Sequence, residues 1–195
     1  KHVDPQALRY YYGCKLGPNV EDLDLNLEEL VNRVNAELVN KVVNLASRSA
    51  RFLAKTGFSE VYPDDGGLFA QGAALCDEVA EAFGEWDFAK VTRLCMELAD
   101  RANAYVDRSQ PWALAKQPGK EAEVRDVCSV ALNLFRQIVT YLAPIVPALA
   151  EGSAPLLGCA FDAFDAAKTP LVGAPVGPFQ HLMKRIEPQQ VQAMI

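Results

Sequence analysis

The sequence predicts an all-α protein: a helix bundle followed by an extended C-terminal tail. Three observations carry that prediction. Four long segments repeat apolar residues at steps of three and four, the signature of amphipathic helices. No segment shows the convincing two-residue alternation of a half-buried strand. After Gly152 the chain is punctuated by Pro155, Gly158, Pro170, Gly173, Pro175, Gly177 and Pro178, too many breaks for a further long helix.

Residues 5–12 read as a short helix, with Asp4 as its cap and Pro5 in its first turn. Residues 13–19 hold two glycines and a proline and form a loop. The first long helix starts near Asn26. Leu27, Val31, Val34, Leu38, Val42, Leu45, Ser49 and Phe52 fall on one stripe. Asn26 with Glu29 fits a capping-box variant, and Gly57 closes the pattern. Residues 55–67 form a loop rich in Gly, Pro and Asp.

A second helix fits 68–83, with Leu68, Ala74 or Leu75, Val79 and Phe83 as its apolar stripe and Gly84 as its stop. A third runs over about 87–107, with Phe88, Val91, Leu94, Cys95, Leu98, Ala102 and Tyr105 facing one way. Ser109-Gln110-Pro111-Trp112 interrupts it. Pro111 then opens a short helical turn over 112–116, because its missing N–H costs nothing at a helix start. Pro118-Gly119 breaks again. A fourth helix covers about Glu121–Leu142, and Pro144 and Pro147 end or restart it.

Composition limits the function classes. Half of the 195 residues are apolar and 23% are charged, an ordinary globular balance. The net charge of −6 excludes a dedicated non-specific nucleic-acid binder, which would be basic. Any RNA contact must come from a local patch. The longest apolar runs fall well below the ~18 residues of a membrane span, and no secretory pattern opens the chain. The five cysteines are odd in number and contain no CxxC, which points to free thiols in the reducing cytoplasm. The chain opens mid-pattern at Lys1-His2-Val3-Asp4 without a methionine, as a piece of a longer protein would.

Catalytic readings find no support. His2 and His181 are the two histidines, and neither belongs to an HExxH or a carboxylate-spaced metal motif. There is no GxSxG and no phosphate-binding GxxxxGK[ST]. Gly66-Gly67 lacks a following lysine and reads as a turn. Asp64-Asp65 and Asp22/Asp24 read as solvated turns rather than cation ligands. No catalytic residue and no metal ligand is expected.

The informative constellation is polar. Asn40, Asn44, Arg48 and Arg51 lie off the apolar stripe of the first long helix. Asn44 and Arg48 are four apart and therefore neighbours on the helix surface. An amide and a guanidinium together match the Watson–Crick edge of an unstacked base and a nearby phosphate. Trp112, set at a corner by Pro111, is a stacking platform if exposed. The same residues also fit plainer roles. An Asn/Arg pair at this spacing suits a solvated face, and a tryptophan in a bundle suits packing. Nothing in the spacing links Trp112 to Asn44 and Arg48.

Several stretches resemble bacterial methionyl-tRNA synthetases. Asp4-Pro5-Gln6-Ala7-Leu8-Arg9-Tyr10-Tyr11-Tyr12 resembles the segment after that family's KMSKS loop. Asp22-Leu23-Asp24-Leu25-Asn26-Leu27-Glu28-Glu29-Leu30 with Arg33-Val34-Asn35 resembles the entry to its anticodon domain. Asn40-Lys41-Val42-Val43-Asn44-Leu45-Ala46-Ser47-Arg48 is similar to its anticodon helix. Ala102-Asn103-Ala104-Tyr105-Val106-Asp107 with Gln110-Pro111-Trp112-Ala113-Leu114-Ala115-Lys116 is similar to its tryptophan corner. Asn133-Leu134-Phe135-Arg136, Tyr141-Leu142-Ala143-Pro144, Pro155-Leu156-Leu157-Gly158 and Arg185-Ile186-Glu187 match later segments.

The resemblance implies the anticodon-binding bundle of a class I aminoacyl-tRNA synthetase. In that reading residues 1–26 end the connection from a catalytic domain and 27–152 form the anticodon-binding domain. Residues 153–195 form a tail that packs back on the bundle or the catalytic domain. The resemblance implies that Trp112 stacks on the cytosine of a CAU anticodon and that Asn44 and Arg48 bond to anticodon bases. Pro111 would shape the corner, and Asn40 and Arg51 would add accessory RNA contacts. The implied partners are methionine tRNA and the catalytic domain, with no DNA and no membrane. ATP, magnesium and zinc belong to that catalytic part, and none is expected in this chain. Two other readings remain open: a class I synthetase for a different amino acid, and a purely structural interaction bundle.

Overall fold

The computed structural model describes residues 3–192, and all regular structure among them is helical. His2 and residues 193–195 of the expected apolar end lie outside the described residues. Helix α1, Pro5–Gly13, starts where the sequence places it: the Asp4 carboxylate accepts the Gln6 N–H at 2.9 Å. Its buried Ala7, Tyr10 and Tyr11 face the bundle.

The first long helix is a rod in three parts. Leu27–Val34 (α2) and Asn44–Leu53 (α3) are α-helical, and Asn35–Val43 between them is a π segment. The sequence predicts one uninterrupted α-helix here. Instead, the Asn44 N–H reaches the Val39 carbonyl, five residues back. The expected stripe is buried from Val31 to Ser49, with Leu27 and Phe52 only half-buried. Ala46, Ala50 and Leu53 are buried too, because α3 is covered by more than one neighbour. The expected capping box closes only halfway. Asn26 accepts the Glu29 N–H at 2.9 Å, but the Glu29 carboxylate turns to Lys15 (2.6 Å) and the Tyr11 hydroxyl (3.2 Å). The Tyr11 hydroxyl also takes the Asn26 N–H.

Helix α4, Leu68–Gly84, is rotated from its expected face. It buries Phe69, Gly72, Cys76, Val79 and Ala82, whereas Ala74 is exposed and Leu68, Leu75 and Phe83 are half-buried. The cause is that α4 is packed by α5, by α7 and by the 3₁₀ turn Phe164–Lys168. The chain reverses at Trp86 (φ 62°) rather than at Gly84, with the Asp87 N–H returning to the Ala82 carbonyl at 2.8 Å. Asp87 then caps α5, Phe88–Ser109.

Gln110, at φ 44°, breaks the chain, and Pro111 opens α6, Pro111–Leu114, a turn shorter than the expected 112–116. Helix α7, Glu121–Leu142, is the central element, buried on every side from Val127 onward. Helix α8, Pro147–Leu157, runs through Gly152 and Pro155, where the sequence places the start of the tail. Pro155 cannot donate to the Glu151 carbonyl, and the helix ends two residues later. Gly158 (φ 63°) ends the helix.

Beyond it the chain is mostly extended, up to α9, Pro188–Gln192. An extended segment with no sheet must find other partners for its backbone: the backbone of Phe58, Ser59 and Leu156 pairs with Ala174, Gly173 and Gly177, and side chains supply further partners. Asn133 donates to the Leu171 carbonyl (3.0 Å) and accepts the Leu171 N–H (2.7 Å). Arg136 donates to Thr169 O at 2.7 Å, and Gln137 bridges the Phe69 and Ala167 carbonyls. Asn35 holds Ile186 with the same pair of bonds, both 2.9 Å. No helix among the described residues is long and apolar enough to cross a membrane.

Candidate nucleic-acid interface

The polar residues of the rod and the tryptophan corner meet. The Arg48 guanidinium lies 4.4 Å from the centroid of the Trp112 ring. Its Nη2 reaches the Asp107 carboxylate at 2.5 Å. Three elements thus converge: α3 supplies the cation, α5 the carboxylate and α6 the ring. The cause of the meeting is helix register. Lys41 pairs with Asp100 at 2.7 Å, and each of these two ion pairs spans the same 59 residues. The rod and α5 therefore run in the same direction. Asn103, between the two aspartates, donates to the Lys41 carbonyl at 3.2 Å.

Asn44 lies between Lys41 and Arg48 on this seam and is half-buried. Its side-chain oxygen sits 3.5 Å from the Ser47 hydroxyl, a weak contact, and its amide nitrogen makes no hydrogen bond among the described residues. Its two N–H donors are available to a ligand.

Of the two roles the sequence leaves open for Trp112, exposed platform and packing residue, the structure shows elements of the second. Trp112 is half-buried and packs on the core, with Arg48 over its ring. The reason is that α6 is a single turn packed on α7, and Pro111 itself is buried. The exposed tryptophan is Trp86, at 69%. Asn40 is exposed but accepts a hydrogen bond from Arg185 of the tail at 2.8 Å. Arg51 is exposed, with its guanidinium 4.6 Å from the Phe52 ring centroid.

The structure therefore joins Arg48 to Trp112 and places Asn44 one helical turn away, with Asn40 and Arg51 beyond. Asp107, Asp100, Lys41, Asn103 and Arg185 complete the surface. Sequence reasoning missed these five, because their relation rests on which helices pair and in what register. Both aspartates are well exposed, 60% and 58% at their side chains. This face is thus a set of oriented donors edged by carboxylates, and not a cationic track. Among the described residues no three His, Cys, Asp or Glu side chains come together in a way that could hold a metal ion.

Comparison with known proteins gives a consistent answer. Residues 1–50 match the family of class I (M) tRNA synthetases, and residues 67–154 match the anticodon-binding domain of tRNA ligases. All 195 residues align at 65% identity with methionine–tRNA ligase 1 of Sorangium cellulosum and at 50% with methionine–tRNA ligase of Rhodopirellula baltica. The chain spans only 28% and 29% of the length of these two relatives. Among solved structures, apo Mycobacterium tuberculosis methionyl-tRNA synthetase superposes with a TM-score of 0.81 at 25% identity, over 95% of this chain and 41% of that one. The same enzyme in complex with methionyl-adenylate also gives 0.81, at 26% identity, over 92% of this chain and 39% of that one. The chain belongs to the methionyl-tRNA synthetase family, within which it corresponds to the anticodon-binding region.

Proposed function

We propose that the Asn44–Arg48–Trp112 surface reads the CAU anticodon of methionine tRNA. The observation that carries this is the Arg48–Trp112 contact, with the Asn44 donors one turn away on the same seam. An anticodon base drawn out of its stack gains an aromatic or guanidinium plane to lie against. Trp112 stacks on the cytosine, and Arg48 gives up part of the ring to it. The Arg48 fork and the Asn44 amide then bond to base edges. Pro111 holds the corner, and Asn40 and Arg51 make accessory contacts to the loop.

In this reading the parent protein is a methionine–tRNA ligase of the cytoplasm, using ATP and magnesium, with a zinc site of its own. This chain carries the reading head. Its residues do not fit those groups: the cysteines are separate free thiols and the acidic side chains form no metal cluster among the described residues. No chemical step is assigned to it. Residues 1–26 and the tail 153–195 contact the catalytic domain and relay a correct match.

The test is a titration of stem-loop RNAs in a Trp86→Phe background, where Trp112 is the sole tryptophan. A CAU loop is expected to give a saturable change in Trp112 fluorescence. A loop with another first base is expected to bind at least about tenfold more weakly, the size of lost hydrogen bonds to the base edge, since any base can still stack. Equal binding to every loop sequence contradicts the proposal.

A further inference from the structure

We infer that Asn35 is a positioning residue for this surface: by clamping the tail at Ile186 it sets the rotation of Asn44 and Arg48 about the axis of the rod. The inference rests on the anticodon-reading proposal for what that rotation serves, and on geometry for the rotation itself.

Asn35 is only 7% exposed, although it is polar. Both ends of its amide are spent on the backbone of one residue, Ile186, which is 151 positions away. It is also the first residue of the π segment, and Asn44 is the residue that follows that segment. A π turn accommodates more residues than an α turn. Successive residues of an α-helix are offset by roughly 100°, so relaxing one π turn to α geometry rotates everything downstream by about that angle. Arg48 would then leave both Trp112 and Asp107, and the Asn44 donors would leave the seam.

The apolar pattern does not by itself prevent this. Val31, Val34, Leu38, Val42, Leu45 and Ser49 form a stripe that an uninterrupted α-helix satisfies equally well. What the pattern lacks, the tail supplies: Ile186 holds the upstream end of the π segment, and Arg185 holds Asn40 within it. The Asn133–Leu171 clamp has the same two bonds but starts from α7, which packs on the rod without being part of it, and serves as the control.

The experiment uses the 195-residue chain and proton NMR, first without RNA. Wild type is expected to show nuclear Overhauser contacts between the Arg48 side chain and the Trp112 indole. Asn35→Leu is expected to lose them while keeping its helicity, and Asn133→Leu is expected to keep them. Stem-loop affinity should fall by about tenfold in the first variant, the scale of the hydrogen bonds that Arg48 and Asn44 no longer make. A folded Asn35→Leu protein that retains the contacts overturns the inference, whatever its RNA binding. If no RNA binds wild type, the anticodon proposal fails, while the contacts still decide the clamp. If Asn35→Leu does not fold, Asn35→Asp replaces it. If neither folds, native-state hydrogen exchange on wild type decides. The Ile186 and Asn44 amides should open together, and independent opening overturns the inference.

Discussion

Arg48 and Trp112, which are 64 positions apart in the chain, form a cation–π pair at 4.4 Å, and Asp107 steadies the guanidinium from the side. The cation thus sits on the ring that the proposed function assigns to a base. Its planar fork matters as much as its charge. Arg48→Lys keeps the charge but loses the stack and the forked donors. Both Arg48→Lys and Arg48→Ala are expected to weaken stem-loop binding by about tenfold or more, from ~1–2 kcal/mol of lost contact. Calorimetric titration checks this. Melting should fall only modestly, since the pair with the exposed Asp107 contributes ~0–1 kcal/mol and the cation–π contact ~0.5–2 kcal/mol.

Gly72 is where α4 approaches α7. A Cβ there would lie 2.1 Å from the Gln137 side-chain oxygen and 3.2 Å from Leu98. The Tyr141 hydroxyl donates to the Gly72 carbonyl at 2.8 Å and holds the backbone in place. Gly72→Ala is expected to destabilise the fold by ~1–3 kcal/mol through overpacking. Gly84→Ala, with nothing within 4 Å, should stay within ~0.5 kcal/mol of wild type. Urea unfolding of the two variants separates them.

Side chains clamp the tail at separate points, so cutting one should loosen it locally. Asn133→Ala leaves the Leu171 N–H and carbonyl without the partners they have at 2.7 and 3.0 Å. A loss of ~1–2 kcal/mol is expected, because partly buried backbone groups lose their partners. Hydrogen exchange should show the Leu171 amide losing protection first.

Alkaline pH should destabilise the bundle through its thiols. Burial, with Glu37 beside it, pushes the Cys14 thiol up to about 11. Burial pushes Cys128 up to about 12, against a small opposing effect of Arg51. A raised folded-state value means that the folded chain holds the proton more tightly. The stability this contributes is fully present below the ordinary thiol value of ~8.5 and is lost as pH rises toward 11. Melting temperatures from pH 8 to 11 should therefore fall, and Cys14→Ala should flatten the decline at its lower end.

The helices were legible because each buries an apolar face that recurs at helical spacing, as Leu38, Val42, Leu45 and Ser49 do. Turn chemistry at Asp4, Asn26 and Pro111 placed three of their starts, whereas the Asp87 cap emerged only from the fold. The face of α4 was misjudged because Phe69 and Cys76 are chosen by three packing neighbours, which periodicity does not encode. The π segment was invisible because its stripe also suits an α-helix. The tail was legible as extended, but not its anchors. Asn35, Asn133 and Gln137 look like surface residues in a pattern of polarity, yet they are buried because each satisfies a distant backbone. At the candidate site Asn44, Arg48 and Trp112 came from family resemblance. Asp107 could not be found until α3 and α5 were seen side by side.

The central claim is that Trp112 stacks on an anticodon base. The most direct test is Trp112→Ala in the full-length parent protein, with tRNA charging and methionine activation, the two activities proposed for it, measured side by side. The account predicts that charging falls by about ten- to a hundredfold, matching a lost stack of ~1–3 kcal/mol, while adenylate formation is unchanged. Unchanged charging, or an equal loss of both activities, would contradict it.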